Sequence, residues 1–395
     1  MGLTMAERKA VTKQMARRYR SSSKKTKAVM LDELCALTGW HRDYARRALR
    51  TVAAQPTVPR GTTPLPTRRS RRPVYGEDVI AALRVVWAVL DYSCGKRLAA
   101  VMADTVEALE RHGELELEPS VRRGLLAMSA ATIDRRLAPD RKRLQVKGRT
   151  GTKPGSLLKG QIAIRTFSDW DDTSVGFAQA DLVGHDGGSA SGEYAHTLCL
   201  TDVATGWTEP RALRNKARRW VIEAIDDVRA VLPFPLLGLD CDNGSEFINH
   251  HLLAYCAERE ITFTRGRPYR KNDSAHVEQK NWAVVRQAVG YARYDTEAEL
   301  TELAALYRHL ALLINFFIPQ AKLLTKTRDG AKVIRRYDAP ATPYRRLLAT
   351  GVLSKRAAAR LRAAYVALNP AQLRRDVAVH QRRLLEITKT KTRTA

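Results

Sequence analysis

Apolar residues recur at two spacings along the chain and separate a mixed centre from helical flanks. In the centre, alternating or continuous apolar runs predict strands, and apolar positions three or four residues apart predict helices. The predicted strands are 175–183, 196–203, 207–213, 236–242 and 261–264, and the predicted helices are 220–231, 248–260 and 274–291. Three strands followed by alternating helices and strands indicate an α/β (mixed α+β) class.

The flanks carry mainly helical spacing. Residues 30–50 predict a helix, a turn at Gly39 and a second helix, with Leu37 and Tyr44 among the residues expected on the buried side. A second recognition-helix start is predicted near 125–137, with Ser129 as its N-cap. Residues 356–388 are predicted to be mostly helical.

Proline, glycine and charge runs suggest the domain boundaries. The predicted order is a helix-turn-helix DNA-binding domain, a Pro/Arg-rich linker, a helical region with a possible second helix-turn-helix, a basic linker, a catalytic core and a basic C-terminal region. These occupy 1–60, 61–74, 75–140, 141–162, 163–318 and 319–395.

The net charge of +27 exceeds what solubility requires and predicts a polyanionic partner, most simply nucleic acid. A structural RNA-binding protein would also be basic, so charge alone does not decide. The five cysteines form no CxxC pair, and no run of ~18 apolar residues occurs. We therefore expect a cytoplasmic protein, associated with nucleic acid when bound to it, with no membrane contact and no small-molecule substrate.

Basic residues near the predicted helices and loops are the candidate contacts to DNA phosphates. Ordinary solvated helices and linkers are the alternative. The candidates are Arg42, Arg46, Arg47, Arg50, Arg141, Lys142, Arg143, Arg270, Lys271, Lys280 and Arg286. Trp282 is interpreted as a packing residue, with base stacking as the alternative.

Three carboxylates lie in distinctive contexts: Asp181 in Gln-Ala-Asp-Leu-Val, Asp242 in Asp-Asn-Gly-Ser-Glu-Phe, and Glu278 in His-Val-Glu-Gln-Lys-Asn-Trp. Sixty residues separate the first two and 35 separate the last two. This layout resembles the Asp-Asp-(35)-Glu signature of the integrase-core (DDE, retroviral-integrase superfamily) transposases of bacterial insertion sequences.

The resemblance implies an RNase H-like core in which Asp181, Asp242 and Glu278 are catalytic and hold two Mg²⁺ ions, with Mn²⁺ as a substitute. Asp181 would bridge both ions. Asp186, Asp202 and Asp240 are rival acids, but only Asp181 and Asp242 combine strand position with the spacing. A zinc site is not expected, because the spacing of the N-terminal histidines and cysteines matches no zinc motif.

The function implied is a DNA transposase that nicks insertion-sequence ends and transfers the 3′-hydroxyl strand into target DNA. Its partners would be double-stranded DNA, as transposon ends and as target, and further copies of itself assembled on that DNA. A stand-alone RNase H-like nuclease and a domesticated DNA-binding regulator of the same fold are the alternatives.

Overall fold

A computed structural model describes most of the chain. The described residues are 3–54, 74–143, 163–165, 174–242, 244, 246–266, 280–329 and 332–394. The chain divides into two compact units, Met1–Arg72 and Pro73–Ala395.

The described residues of the first unit form three helices. They are α1 (Met5–Ser21), α2 (Lys24–Thr38) and α3 (Arg42–Ala54). Gly39 ends α2 at φ 68°, a backbone conformation that glycine adopts without steric cost, and its N–H donates to the Cys35 carbonyl over 2.8 Å. The predicted helix, glycine turn and helix are therefore present, whereas DNA binding by this unit stays a prediction.

The buried side of this unit is narrower than expected. Leu34, Ala45 and Leu49 are fully buried. Leu37 and Tyr44, which were expected on the same side, are 56% and 45% exposed. That part of the prediction was wrong, because three short helices enclose only the central stripe of each apolar face.

Five helices open the second unit. They are α4 (Glu77–Val89), α5 (Gly95–Arg111), α6 (Pro119–Leu126), α7 (Ala130–Arg136) and α8 (Ala138–Arg143). Ser129 caps α7 as predicted, accepting a hydrogen bond from the Thr132 N–H. Helices α5 and α7 approach so closely that a Cβ at Gly95 would overlap the Ala130 carbonyl oxygen.

A six-stranded mixed sheet forms the centre of the second unit. Its strands are β1 (Ala163–Arg165), β2 (Phe177–Gly184), β3 (His196–Asp202), β4 (Thr208–Leu213), β5 (Gly238–Cys241) and β6 (Thr262–Gly266). The spatial order is β1-β6-β5-β2-β3-β4. Strands β2, β3 and β4 are antiparallel, whereas β5 pairs parallel with both β2 and β6. Apart from the extra β1, this is the RNase H-like arrangement, and the predicted fold class is confirmed.

Helices cover both faces of the sheet. Helices α9 (Arg218–Val231) and α10 (His250–Glu258) pack on the face that carries Ala180, Leu198 and Leu239. The other face is covered by a π-helix (Asn281–Arg286), by α11 (Gln287–Val289) and by α12 (Glu297–Phe316), and α15 (Pro370–Thr394) packs on α12.

The remaining C-terminal elements are a hairpin and two helices. They are β7 (Leu323–Asp329), β8 (Lys332–Tyr337), α13 (Pro343–Thr350) and α14 (Lys355–Ala367). The predicted helices after 356 are present, but the hairpin was not predicted. Leu83 of α4, Leu109 of α5, Phe316, Tyr344 and Leu373 belong to one apolar cluster. The opening helices and the C-terminal helices therefore share a core within this unit.

None of the helices in the described ranges is long and apolar enough to span a bilayer.

Candidate active site

Asp181 and Asp242 lie on neighbouring strands at one point of the sheet. The parallel register of β2 and β5 ends with Ala180 opposite Cys241, so Asp181 and Asp242 are the next residue on each side. Neighbouring strands lie about 4.7–4.9 Å apart. Two carboxylates separated by 60 residues in sequence are thus brought together where β5 ends.

Asp181 faces the π-helix. Side chains alternate between the faces of a strand, and Ala180 and Cys241 belong to the cluster under α9 and α10. Asp181 therefore lies on the opposite face, with Val183 and Cys199, which pack against Val285 of the π-helix.

Asp181 is held in place by the π-helix. Its Oδ2 accepts a 2.6 Å hydrogen bond from Nδ2 of Asn281, and its Oδ1 accepts a 2.8 Å hydrogen bond from the Leu182 N–H. The Asn281 Oδ1 is buried and has no hydrogen-bond donor among the described residues. The asparagine thus fixes one oxygen of the carboxylate and keeps an unused acceptor beside it.

Asp242 lies in a tight acidic turn. Its Oδ1 accepts a 2.9 Å hydrogen bond from the Gly244 N–H. Burial raises the pKa of Asp242 above its ordinary value, the Gly244 hydrogen bond opposes that rise, and the nearby Glu246 carboxylate adds to it. A Cβ at Gly244 would lie 2.7 Å from Oε1 of Glu246 and 2.9 Å from Oδ1 of Asp242, so a side chain at this position would displace one or both carboxylates.

The chemistry of this donor set fits a hard divalent cation. Two side chains offer oxygen ligands at one place, and burial with a second negative charge disfavours the anionic form of Asp242, a cost that a bound cation would offset. The third predicted ligand, Glu278, lies outside the described residues. No group of three metal-ligating side chains occurs within the part of the chain that the structure describes.

The three rival aspartates have structural roles. Asp202 is fully buried and accepts hydrogen bonds from the N–H groups of Gly176 and Thr205, which fixes the turn after β3. Asp240 is also buried and accepts a 2.7 Å hydrogen bond from the Thr264 hydroxyl. Asp186 accepts from the Gly188 N–H in a loop beyond β2.

The predicted DNA contacts of the first unit differ in availability. Arg42 pairs with Asp32 and donates to the Ala28 carbonyl, and Arg46 pairs with Asp43 over 2.6 Å. Arg47 and Arg50 are exposed, with the Arg47 guanidinium 5.6 Å from the Tyr44 ring centroid. The last two arginines are therefore the more available to phosphate.

The predicted DNA contacts on α8 also differ in availability. Arg141 pairs with Asp134 over 2.5 Å and donates to the Ser93 carbonyl over 3.1 Å, which ties α8 to α7 and to the end of α4. Lys142 and Arg143 are exposed. Arg270 and Lys271 lie outside the described residues.

Lys280 and Arg286 are engaged by the protein itself. The Lys280 ammonium donates to the Gly206 carbonyl over 3.3 Å, and burial lowers the pKa of Lys280 to about 7. The Arg286 guanidinium donates to the carbonyls of Gly184 and Gly290. Both contacts favour a structural role, in which these residues attach the π-helix to β2 and to the β3–β4 turn.

Two features of this site were absent from the sequence prediction, and a third was misinterpreted. Glu246 had no assigned role, and Asn281 was not identified as a partner of Asp181. Asn281 follows Glu278 by three residues, which places both on one side of a helix and was the available signal. Trp282 was interpreted as packing, but it is 58% exposed, so that interpretation was wrong.

Comparison with known proteins gives one close sequence relative and several distant structures. No protein-family model matches the chain. It is 40% identical over 344 residues to "Uncharacterized protein y4rM" of Sinorhizobium fredii (strain NBRC 101917 / NGR234), covering 87% of this chain and 96% of that protein.

Among solved structures, the catalytic core domain of BIV integrase aligns with 19% identity, a TM-score of 0.29, and coverage of 45% of this chain and 97% of that one. The HTLV-2 integrase catalytic core domain in complex with magnesium (dimeric form) aligns with 15% identity, a TM-score of 0.28, and coverage of 36% and 88%. Similarity at this level assigns no activity.

Proposed function

Because the chain belongs to the same family as the y4rM protein of Sinorhizobium fredii, whose description names no activity, we propose its function from its own carboxylates. It is a DNA transposase of the integrase-core class. It nicks the ends of its own insertion sequence and joins the exposed 3′-hydroxyl to target DNA. The observation that carries this proposal is the pairing of Asp181 and Asp242 at the end of β5.

Asp181, Asp242 and Glu278 are the proposed ligands of two Mg²⁺ ions. Mg²⁺ at such a site supplies activation of water or a 3′-hydroxyl and stabilisation of charge on the phosphate. The chain itself orients the carboxylates. Asn281 and the Leu182 N–H orient the Asp181 carboxylate, and the Gly244 N–H orients that of Asp242, so both proposed ligands have fixed directions.

Exposed basic residues of each unit are the proposed DNA contacts. A net charge of +27 attracts the phosphate backbone, and Arg47, Arg50, Lys142 and Arg143 have exposed side chains. Arg270 and Lys271 remain candidates because they lie in the sequence just before Glu278. The partners proposed are double-stranded DNA and further copies of the chain assembled on it.

The direct test replaces each carboxylate by its amide. We expect Asp181→Asn, Asp242→Asn and Glu278→Gln each to abolish Mg²⁺-dependent nicking and joining of DNA that carries the element's ends, because each removes a negative ligand at nearly constant shape. DNA binding should remain close to wild type. Asp186→Asn is the matched control, since the Asp186 side chain accepts a hydrogen bond from the Gly188 N–H in the loop beyond β2.

Retention of more than a few per cent of activity by one variant would remove that residue from the catalytic set. Loss of DNA binding in all three would mean that the carboxylates maintain the fold rather than the chemistry.

A further inference from the structure

Trp282 has an unusual environment for a tryptophan. It is 58% exposed, whereas Trp87 and Trp207 are 3% and 4% exposed. Trp40 and Trp220 are half-buried, so Trp282 is the one exposed tryptophan among those in the described ranges. A large aromatic surface left in water carries a free-energy cost, and burial against a partner would recover it.

The position of Trp282 connects it to the candidate active site. It is the second residue of the π-helix, directly after Asn281, whose side chain holds Asp181 over 2.6 Å. Single turns of π-helix occur often at functional sites, where they change the direction in which a side chain points.

The backbone that carries Trp282 is fixed on both sides. Before it, the Lys280 ammonium donates to the Gly206 carbonyl. After it, Val284 and Val285 are buried against the sheet, and Arg286 donates to the Gly184 carbonyl. The indole is therefore an exposed group on a rigid support, and only its two side-chain torsions would lose freedom on contact with a ligand.

Resting on the proposed function, we infer that Trp282 stacks on a nucleobase of the DNA strand that enters the carboxylate site. A nucleobase has the flat apolar face that an indole matches, and stacking is tolerant of base identity. The base must be unpaired, because both faces of a paired base within a duplex are covered by its neighbours. The occupant is thus an unpaired nucleotide close to the phosphate bound at Asp181 and Asp242.

The charge of the protein favours DNA over a second protein copy as the occupant. Copies of a chain with a net charge of +27 repel each other, whereas a DNA strand is attracted.

The test measures binding of the full-length protein to a twenty-nucleotide oligothymidylate and to a fully paired duplex of equal length, in EDTA so that no cleavage occurs. We expect Trp282→Ala to weaken binding to the single strand by roughly 5- to 150-fold, the range for loss of one base–aromatic stack. Binding to the duplex should be unchanged. Trp282→Phe should restore most of the affinity, because a benzene ring still stacks.

Two controls separate stacking from general effects. Tyr92→Ala removes another exposed aromatic ring (44% exposed) from a turn after α4 and should alter neither affinity. Oligothymidylate should also quench the intrinsic tryptophan fluorescence of the wild type. Trp282→Phe should lose that quenching, whereas Trp220→Phe should keep it.

The outcomes separate a failure of the inference that Trp282 stacks on a base from a failure of the proposed function. Equal affinity of wild type and Trp282→Ala for the single strand, or equal loss on both DNAs, would overturn the inference and leave the proposed function intact. Failure of the wild type to bind either DNA would overturn both. A changed monomer–dimer equilibrium of DNA-free Trp282→Ala would assign the indole to a protein contact and overturn the inference.

Discussion

Asn281 and Asp181 are 100 residues apart in the chain and are joined by one hydrogen bond of 2.6 Å. Partners that orient a metal-binding carboxylate change metal affinity or activity by about 10–100-fold when removed. We expect Asn281→Ala to raise the Mg²⁺ concentration needed for half-maximal nicking by about that factor, with the KM for DNA unchanged. A titration of activity against Mg²⁺ measures this.

Asn215→Ala is the matched control, because Asn215 bonds Glu193 in an exposed segment away from the carboxylates. If Asn281→Ala lowered activity equally at all Mg²⁺ concentrations, Asn281 would act on folding or DNA binding rather than through Asp181.

His185 provides a prediction about pH. It is fully buried, its Nε2 shares a 2.7 Å hydrogen bond with the Thr197 hydroxyl, and burial lowers its pKa to about 3. Below the unfolded pKa of about 6.5, the unfolded chain binds a proton that the folded chain does not. The contribution of His185 to stability therefore decreases as the pH falls from about 6.5 to about 3, by up to ~1.4 kcal/mol per pH unit.

Replacement of His185 by an uncharged residue should remove its contribution to the dependence of stability on pH. We expect the free energy of unfolding of His185→Gln to depend less on pH across that window than that of the wild type, measured by urea denaturation at several pH values. His250→Gln, at an exposed position on α10, should keep the wild-type slope. Parallel curves for wild type and His185→Gln would show that the buried imidazole is not the group responsible.

For single residues, the sequence predicted which residues form the candidate active site better than it predicted the contacts between them. Asp181 and Asp242 could be found because strand periodicity and motif spacing both depend on residues close in sequence. Gly244 beside Glu246, and Asn281 against Asp181, depend on side chains meeting in space. The exposure of Trp282 also depends on tertiary packing, since helical periodicity alone does not show which helix face remains uncovered.

The apolar periodicity of the sequence predicted the helices and strands that have a buried face. Strands β2 to β6 and helices α9 and α10 follow the predicted order, with ends shifted by a few residues. Strand β1 has only three residues and pairs with β6, about 100 positions later, so it offered no periodic signal. Those side chains of the β7–β8 hairpin whose burial the structure describes, such as Thr325, Thr327 and Ile334, are exposed, so they do not show the buried and exposed alternation that marks a strand.

The start of α15 is tied to the segment after α5. Glu114 accepts hydrogen bonds from Arg375 at 2.5 Å and from Asn369 at 2.7 Å, and the Arg375 bond is the main cause that lowers the pKa of Glu114 to about 2. This stabilisation is complete above the unfolded pKa of about 4.5 and is lost as the pH falls towards 2.

We expect Glu114→Gln to lower the free energy of unfolding by about 1 kcal/mol at pH 7, because the ion pair is partly solvent-exposed and its strength is screened. The difference from wild type should shrink between pH 4.5 and pH 2, as followed by thermal denaturation. Glu107→Gln, which removes an exposed ion pair with Arg111, serves as the control with a smaller effect. A difference that did not change with pH would exclude the Glu114 charge as its cause.

For the whole molecule, the net charge of +27 governs association with DNA. Each phosphate neutralised releases condensed counterions, so affinity falls as salt rises. With about six phosphate contacts, we expect the logarithm of the binding constant to fall against the logarithm of salt concentration with a slope of about −5. Replacing the exposed pair Arg47 and Arg50 by glutamine should make that slope shallower by about 2, and an unchanged slope would place the DNA contacts elsewhere.

We expect assembly on DNA for two reasons, the net charge and the single set of carboxylates in each chain. Under the proposed function, two transposon ends are cut and joined together, whereas one chain carries a single set of Asp181, Asp242 and Glu278. Mutual repulsion opposes association of the free protein, and DNA neutralises it. We therefore expect monomers at high salt and larger complexes once DNA carrying the element's ends is added, as measured by analytical ultracentrifugation.

Mixing wild type with Asp242→Asn tests whether two chains act together. The variant should bind DNA normally but lack chemistry, so it would enter complexes and inactivate them. In an equal mixture that pairs at random, roughly a quarter of dimers contain two wild-type chains. Joining of both ends should then fall to about that fraction, whereas single-end nicking should fall only in proportion to the wild-type content. A strictly proportional loss of paired joining would mean that each chain works alone, and the assembly of two or more chains on paired ends would be ruled out.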